Sequence, residues 1–350
     1  MQDSRYLKHD KGLSRREFLS KAGRTGLAAG VGFSLEGLLS SCATVEVAEK
    51  DAVVYPELAG KKIQPPKNGC LVGLHRYNFS HDTGRIIDYY QQILGNKPAF
   101  FGLCCDIDFS YFPQTEMAGL VSRGVIPNVF PDYKKPLEDI ARGSYDADLT
   151  TVAKEATKYG NQHGGFFYTP MRHPNGRPYP WFGNPNEFKK AWNHVWQIFQ
   201  DNGANEYTTW IWEVATNEGY CGAADPASIY YPDDEKVDWI GFTGYSRAMS
   251  NCTRDKSYNQ LITAAYHEMR RTHPDKPIMQ AEFGTTQGSD QPRWVQSAYK
   301  TIKSLPGMKA ALYWDNPGAA LNDNLYLSKE SYEVLKEILK DPYWITAKSN

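Results

Sequence analysis

The sequence predicts an α/β protein: a single (β/α)8 barrel domain behind an N-terminal export signal and a short tether. Two observations carry that reading. From residue 70 onward, short apolar runs rich in aromatic and β-branched residues alternate with longer amphipathic stretches, the pattern of parallel strands covered on both faces and joined by helices. There are eight such runs, as a closed barrel requires, and a chain of 350 residues, 41% hydrophobic and 23% charged, can bury a core of that size.

The expected strands are Cys70–His75, Ala99–Cys105, Val125–Val129, Gly165–Met171, Thr208–Val214, Trp239–Thr243, Ile278–Glu282 and Ala310–Trp314. Between and after them, helices are expected over Gly84–Leu94, Leu149–His163, Asn186–Gln200, Tyr258–Arg271, Trp294–Ser304 and Lys329–Leu339. The barrel is placed at residues 68–345, and no repeat or low-complexity segment interrupts it.

The first fifty residues have a different purpose. Ser14-Arg15-Arg16-Glu17-Phe18-Leu19 matches the twin-arginine export pattern and precedes an apolar stretch from Thr25 to Leu39, broken only by Glu36. That stretch is too short and Gly-rich for a membrane-spanning helix. It ends in Leu39-Ser40-Ser41-Cys42, the form of a lipoprotein processing site, so residues 1–42 read as signal and Cys42 as the lipidated first residue of the mature chain. A plain cleavage site with an ordinary cysteine is the alternative. Residues 43–67, ending near Pro65-Pro66, read as the tether. The protein is thus expected to face the periplasm or the cell surface, held to a membrane by its lipid.

Charge and composition narrow the ligand. A net charge of -1, from 39 basic and 40 acidic residues, argues against nucleic acid and for a neutral ligand. The 9 Trp and 23 Tyr suit stacking on the apolar faces of sugar rings as well as core packing. No glycine-rich phosphate loop and no histidine cluster at ligand spacing is present, and Cys104-Cys105 lacks a second pair, so neither cofactor nor metal is expected.

In a barrel of this kind chemistry belongs at the C-terminal ends of the strands. Ile278-Met279-Gln280-Ala281-Glu282-Phe283-Gly284 ends an apolar strand on a carboxylate, where a glycosidase nucleophile would sit; a capping or salt-bridging glutamate is the alternative. His75 and His173 are candidates for the cleft, and Arg172 can hold His173 or bind sugar hydroxyls. Trp181, Tyr245 and Trp314 follow or end strands, where a ring can stack on a sugar. Asp106, Asp108 and Asp315 can hydrogen-bond substrate or pair with Arg172, whereas Glu213, inside a strand, reads as a structural salt bridge.

Several of these segments resemble glycoside hydrolase family 26. Lys276–Gly284 is similar to its nucleophile strand, Tyr230–Tyr245 to the preceding segment, Asn175–Trp181 to the loop after its fourth strand, and Leu94–Gly102 to the start of its second, in the same order across roughly residues 68–320. The resemblance implies a retaining hydrolase of β-linked polysaccharide, mannan-like or mixed-linkage glucan, with Glu282 as nucleophile. It also implies a His-Glu pair at the end of strand four. Here Met171-Arg172-His173-Pro174 stands instead, with Pro174 at the position read as the proton donor. Asn217-Glu218, after the fifth strand, resembles the asparagine and acid/base pair of the wider clan and offers Glu218 as a relocated acid. The alternative is a barrel that binds polysaccharide without cutting it. The protein is expected to be a monomer.

Overall fold

In a computed structural model of the chain, the described residues are 61–76, 82–105, 111–131, 135–177, 179–216, 224–247, 254–288, 290–316 and 325–347. Ten strands form one sheet: β1 (Cys70–His75), β2 (Lys97–Pro98), β3 (Phe100–Cys105), β4 (Ile126–Pro131), β5 (Phe166–Tyr168), β6 (Thr208–Ala215), β7 (Trp239–Ser246), β8 (Ile278–Thr285), β9 (Met308–Trp314) and β10 (Trp344–Ala347). Neighbours pair in parallel from β3 to β9, and β1 pairs in parallel with both β3 and β9. The eight expected strands therefore close into the barrel the sequence predicts. The two short extra strands lie outside it, β10 beside β1 and antiparallel to β2.

The helices are α1 (Thr83–Leu94), α2 (Gln114–Val121), α3 (Leu137–Ala141), α4 (Asp146–His163), α5 (Pro185–Asp201), α6 (Tyr258–Thr272), α7 (Gln291–Ser304) and α8 (Lys329–Ile338). Two of these, α2 and α3, are not expected from sequence. Helix α2 carries Gly119, a poor helix former, because a Cβ there would lie 2.4 Å from the Thr83 hydroxyl of α1. Among the described residues no helix is long and apolar enough to cross a membrane.

Side chains alternate along each strand between the barrel interior and the shell beneath the helices. Leu71, Phe100, Ile126, Phe167, Ile211 and Trp239 fill the interior, while Trp210, Trp212, Val214 and Phe242 face outward. Residues 61–67, expected as the end of the tether, are part of the barrel. Ile63 is buried in the interior cluster, its amide donates to Thr209 Oγ1 (2.8 Å), and Lys62 pairs with Asp238 (2.8 Å). The domain boundary accordingly lies before the expected position between residues 67 and 68.

Strand β8 breaks the alternation once. Against β7, Phe242 pairs with Gln280 and Thr243 with Glu282; against β9, Gln280 pairs with Ala311 and Phe283 with Tyr313. Against β7 the strand thus has one residue more than its neighbour, a bulge at Ala281, whereas against β9 the extra residue is offset by an opposite shift between Ile278 and Met279, where Met308 and Ala310 are the partners. Met279 and Ala281 face inward, whereas Gln280 faces α6, accepting from the Tyr258 hydroxyl (2.6 Å). Regular alternation would send Glu282 outward like Gln280. The extra residue turns it into the barrel mouth.

Candidate active site

Glu282 is only 3% exposed, yet both its oxygens have donors. The Arg172 guanidinium bonds Oε1, and the Tyr245 hydroxyl donates to Oε2 at 2.8 Å. Burial, and next the charge of Glu282, push the Tyr245 hydroxyl well above its usual range, so it stays a donor. Arg172 itself lies over the rings of Phe130 (5.2 Å) and Trp314 (6.0 Å), a cation held against aromatic faces.

The segment after β5 brings Arg172 and His173 to this carboxylate. Strand β5 ends at Tyr168, earlier than expected, because Pro170 has no amide to continue a ladder and the chain then turns through two left-handed residues, Met171 (φ 50) and His173 (φ 51). Such a conformation costs a non-glycine residue on the order of 1–3 kcal/mol and must be held by its surroundings. Asn175 does much of the holding: its Nδ2 donates to Ala215 O and its Oδ1 accepts from Ala215 N, both at 2.9 Å, imitating a further strand beside β6. The His173 amide donates to Glu213 O (3.1 Å), and Trp181 Nε1 donates to Arg172 O (2.8 Å).

His173 Nε2 lies 2.9 Å from Glu213 Oε1, 2.8 Å from Thr243 Oγ1 and 3.8 Å from Glu282 Oε2. The Thr243 hydroxyl also donates to Glu213 Oε1. Glu213 is the second carboxylate of the site, pointing inward from β6, with Gly241 on β7 leaving it space; a Cβ at 241 would stand 3.2 Å from Glu213 Cβ. Burial alone would raise the Glu213 carboxyl, but the hydrogen bond and charge of His173, with Arg172 and Thr243, bring it below its usual range. Its expected salt bridge is therefore present, but inside the candidate site.

One oxygen each of Glu213 and Glu282, with a His173 ring nitrogen, lie within 4.8 Å of one another. One oxygen of Glu213 thus lies no more than 4.8 Å from one of Glu282. Among the described residues this is also the one group spaced like metal ligands. The guanidinium on Glu282 already supplies the positive charge a metal would bring.

The other sequence candidates fall in different places. Trp314, half-buried, stacks on His75 with centroids 3.8 Å apart. His75 does not line the cleft: it is buried beneath that ring, with Nδ1–H donating to Gly102 O at 2.9 Å. Trp181 is 1% exposed, so it braces the Arg172 carbonyl and presents no ring face to a sugar. Tyr245 is a partner of Glu282, with its ring buried. Asp315 pairs with Arg76 (3.0 Å), not Arg172, and accepts from the hydroxyls of Tyr90 (2.6 Å) and Tyr332 (2.5 Å). Asn217, Glu218, Cys42, Asp106 and Asp108 lie outside the described residues. It is His173, the neighbour of Pro174, that approaches Glu282.

His75 predicts a pH dependence of stability. Burial, opposed by its bond to Gly102 and reinforced by Arg172, lowers its pKa to about 3. The unfolded chain takes up a proton near pH 6.5 that the folded one refuses until about pH 3, so stability falls as the pH drops through that window, by up to about 1.4 kcal/mol per unit. Thermal melts between pH 7 and 4 are expected to show a shallower decline for His75→Asn than for the wild type; equal slopes would contradict the assignment.

Comparison with known proteins agrees with this barrel. Residues 127–298 match the model of glycosyl hydrolase family 26. Endoglucanase H of Acetivibrio thermocellus is 28% identical over 272 residues, 75% of this chain and 28% of that protein. A β-1,3-xylanase of an Alcaligenes species is 26% identical over 172 residues, 49% of this chain and 31% of its own. The chain thus spans about a quarter to a third of the length of the curated relatives it matches. Among solved structures, a family 26 β-mannanase of Bacteroides ovatus superposes with TM-score 0.60 at 14% identity, covering 81% of this chain and 92% of that one. A modular endo-β-1,4-mannanase of Cellulomonas fimi gives 0.59 at 16%, covering 80% and 72%. The family match over residues 127–298 and the relatives make this chain similar to glycosyl hydrolase family 26, and the solved structures share its barrel fold.

Proposed function

We propose that the protein is a retaining glycosidase that cleaves a β-linked polysaccharide, mannan-like or mixed-linkage glucan, with Glu282 as the nucleophile. One observation carries this reading: a buried carboxylate turned into the barrel mouth and oriented by Arg172 and Tyr245. Arg172 aims one Glu282 oxygen, and Tyr245 holds the second. Trp314 offers a platform for a sugar ring next to them, worth about 0.5–1.5 kcal/mol beyond its burial. Proton transfer to the leaving oxygen needs an atypical group, for which Glu218 is the sequence candidate. We also propose that the twin-arginine signal exports the protein and that Cys42 carries a lipid anchoring it to a membrane.

The test is release of reducing sugar from β-mannans, β-glucans and β-1,3- and β-1,4-xylans by the soluble chain from residue 43. Hydrolysis of at least one, with retention at the anomeric centre, is the expected result. Tight binding without hydrolysis of any would replace this reading with that of a polysaccharide-binding barrel.

A further inference from the structure

Resting on Glu282 as nucleophile, we infer that His173 carries the proton for the leaving group and that Glu213 is its positioning residue. The geometry selects this pair in three ways. First, His173 Nε2 stands between the two carboxylates, 2.9 Å from Glu213 and 3.8 Å from Glu282. The side chains of Glu282 and His173 are 4% and 3% exposed, whereas that of Glu213 is fully enclosed, with one oxygen engaged by His173 and Thr243.

Second, each carboxylate has its own nitrogen partner. Two carboxylates within 4.8 Å of each other repel strongly in a dry barrel. Arg172 pairs with Glu282, and His173 Nε2 lies 2.9 Å from Glu213. Third, the chain adopts a left-handed conformation at His173 itself, and that strain is maintained by the Asn175 clamp on β6.

The steps close in atoms and charge. A Glu282 oxygen attacks the anomeric carbon, the carbon–oxygen bond to the leaving sugar breaks, and the Nε2 proton passes to that leaving oxygen. The imidazole is then neutral, and the Thr243 hydroxyl, 2.8 Å away, can turn from Glu213 to donate to Nε2. In the second half the imidazole takes a proton from water as its oxygen attacks the anomeric carbon, releasing Glu282 and restoring the imidazolium.

The experiment compares kcat/KM on the best polysaccharide of the panel with that on a 2,4-dinitrophenyl glycoside of the same sugar, whose leaving group departs without a proton. His173→Gln is expected to lose about 10²–10⁴-fold on polysaccharide and less than roughly 10-fold on the dinitrophenyl substrate. Added azide, which needs no general base, should accelerate the variant on the latter. Glu213→Gln should give the same split and move the alkaline limb of the pH profile to lower pH, because the anion facing His173 is gone. Other groups facing His173 among the described residues include Glu282, Thr243 and Tyr179. Equal losses on both substrates for His173→Gln, or the split appearing with Glu218→Gln instead, would overturn the inference and leave Glu282 in place. Full activity of Glu282→Ala, or no turnover of either substrate by the wild type, would remove the reading on which it rests.

Discussion

Glu282→Gln is expected to lose at least about 10³-fold in kcat on any polysaccharide the wild type cleaves, and on activated glycosides as well. A nucleophile is needed whatever the leaving group, so the loss on both substrates separates Glu282 from His173. Glutamine keeps the length and can still accept from Tyr245, but it no longer neutralises Arg172. Some stability is therefore lost with the activity. Measuring kcat beside a thermal melt distinguishes them: a folded, inactive variant supports the assignment, and a folded variant with near-wild-type kcat contradicts it.

Arg172→Met is expected to have the largest effect on stability. Removing one partner of a buried pair costs about 3–5 kcal/mol, because the other charge remains in the interior. Here the cost is concentrated, since Glu282 and Glu213 would face each other with only His173 between them. A drop in Tm of roughly 10 °C at pH 7 follows. Arg172→Met combined with Glu282→Leu is expected to recover most of the loss while staying inactive, since an apolar pair of similar volume can replace a buried ion pair. If the double variant is no more stable than Arg172→Met, the coupling is not between these two side chains.

The barrel is legible in the sequence because its signal is repeated: eight apolar runs, each bounded by turns, determine strand count and order even when single boundaries shift. Helices α2 and α3 are not, because each is short and α2 spends a position on Gly119 to let α1 approach. In the site, Glu282 is legible as a carboxylate ending an apolar run. Glu213 has a signal too, a lone acid in Thr208–Ala215 where every other residue is apolar or a threonine. Alternation leaves its side undecided, and only the register of β6 against β7 assigns it to the interior. The placement of Trp181 and His75 is harder still. Both stand where a cleft residue would, and only three-dimensional neighbours, Tyr179 and the Arg172 carbonyl for one, Trp314 for the other, show them as supports.

The extra residue at Ala281 bears on how such a site can be gained or lost. Because Glu282 faces inward by virtue of the one-residue bulge at Ala281 against β7, its placement depends on local register as much as on identity. A single in-frame codon deletion in this strand would retain the glutamate and the apolar composition, yet direct the carboxylate toward the helices. Relatives of this barrel are therefore best sorted by whether this strand carries the bulge against the strand before it, ahead of any comparison of its last acid.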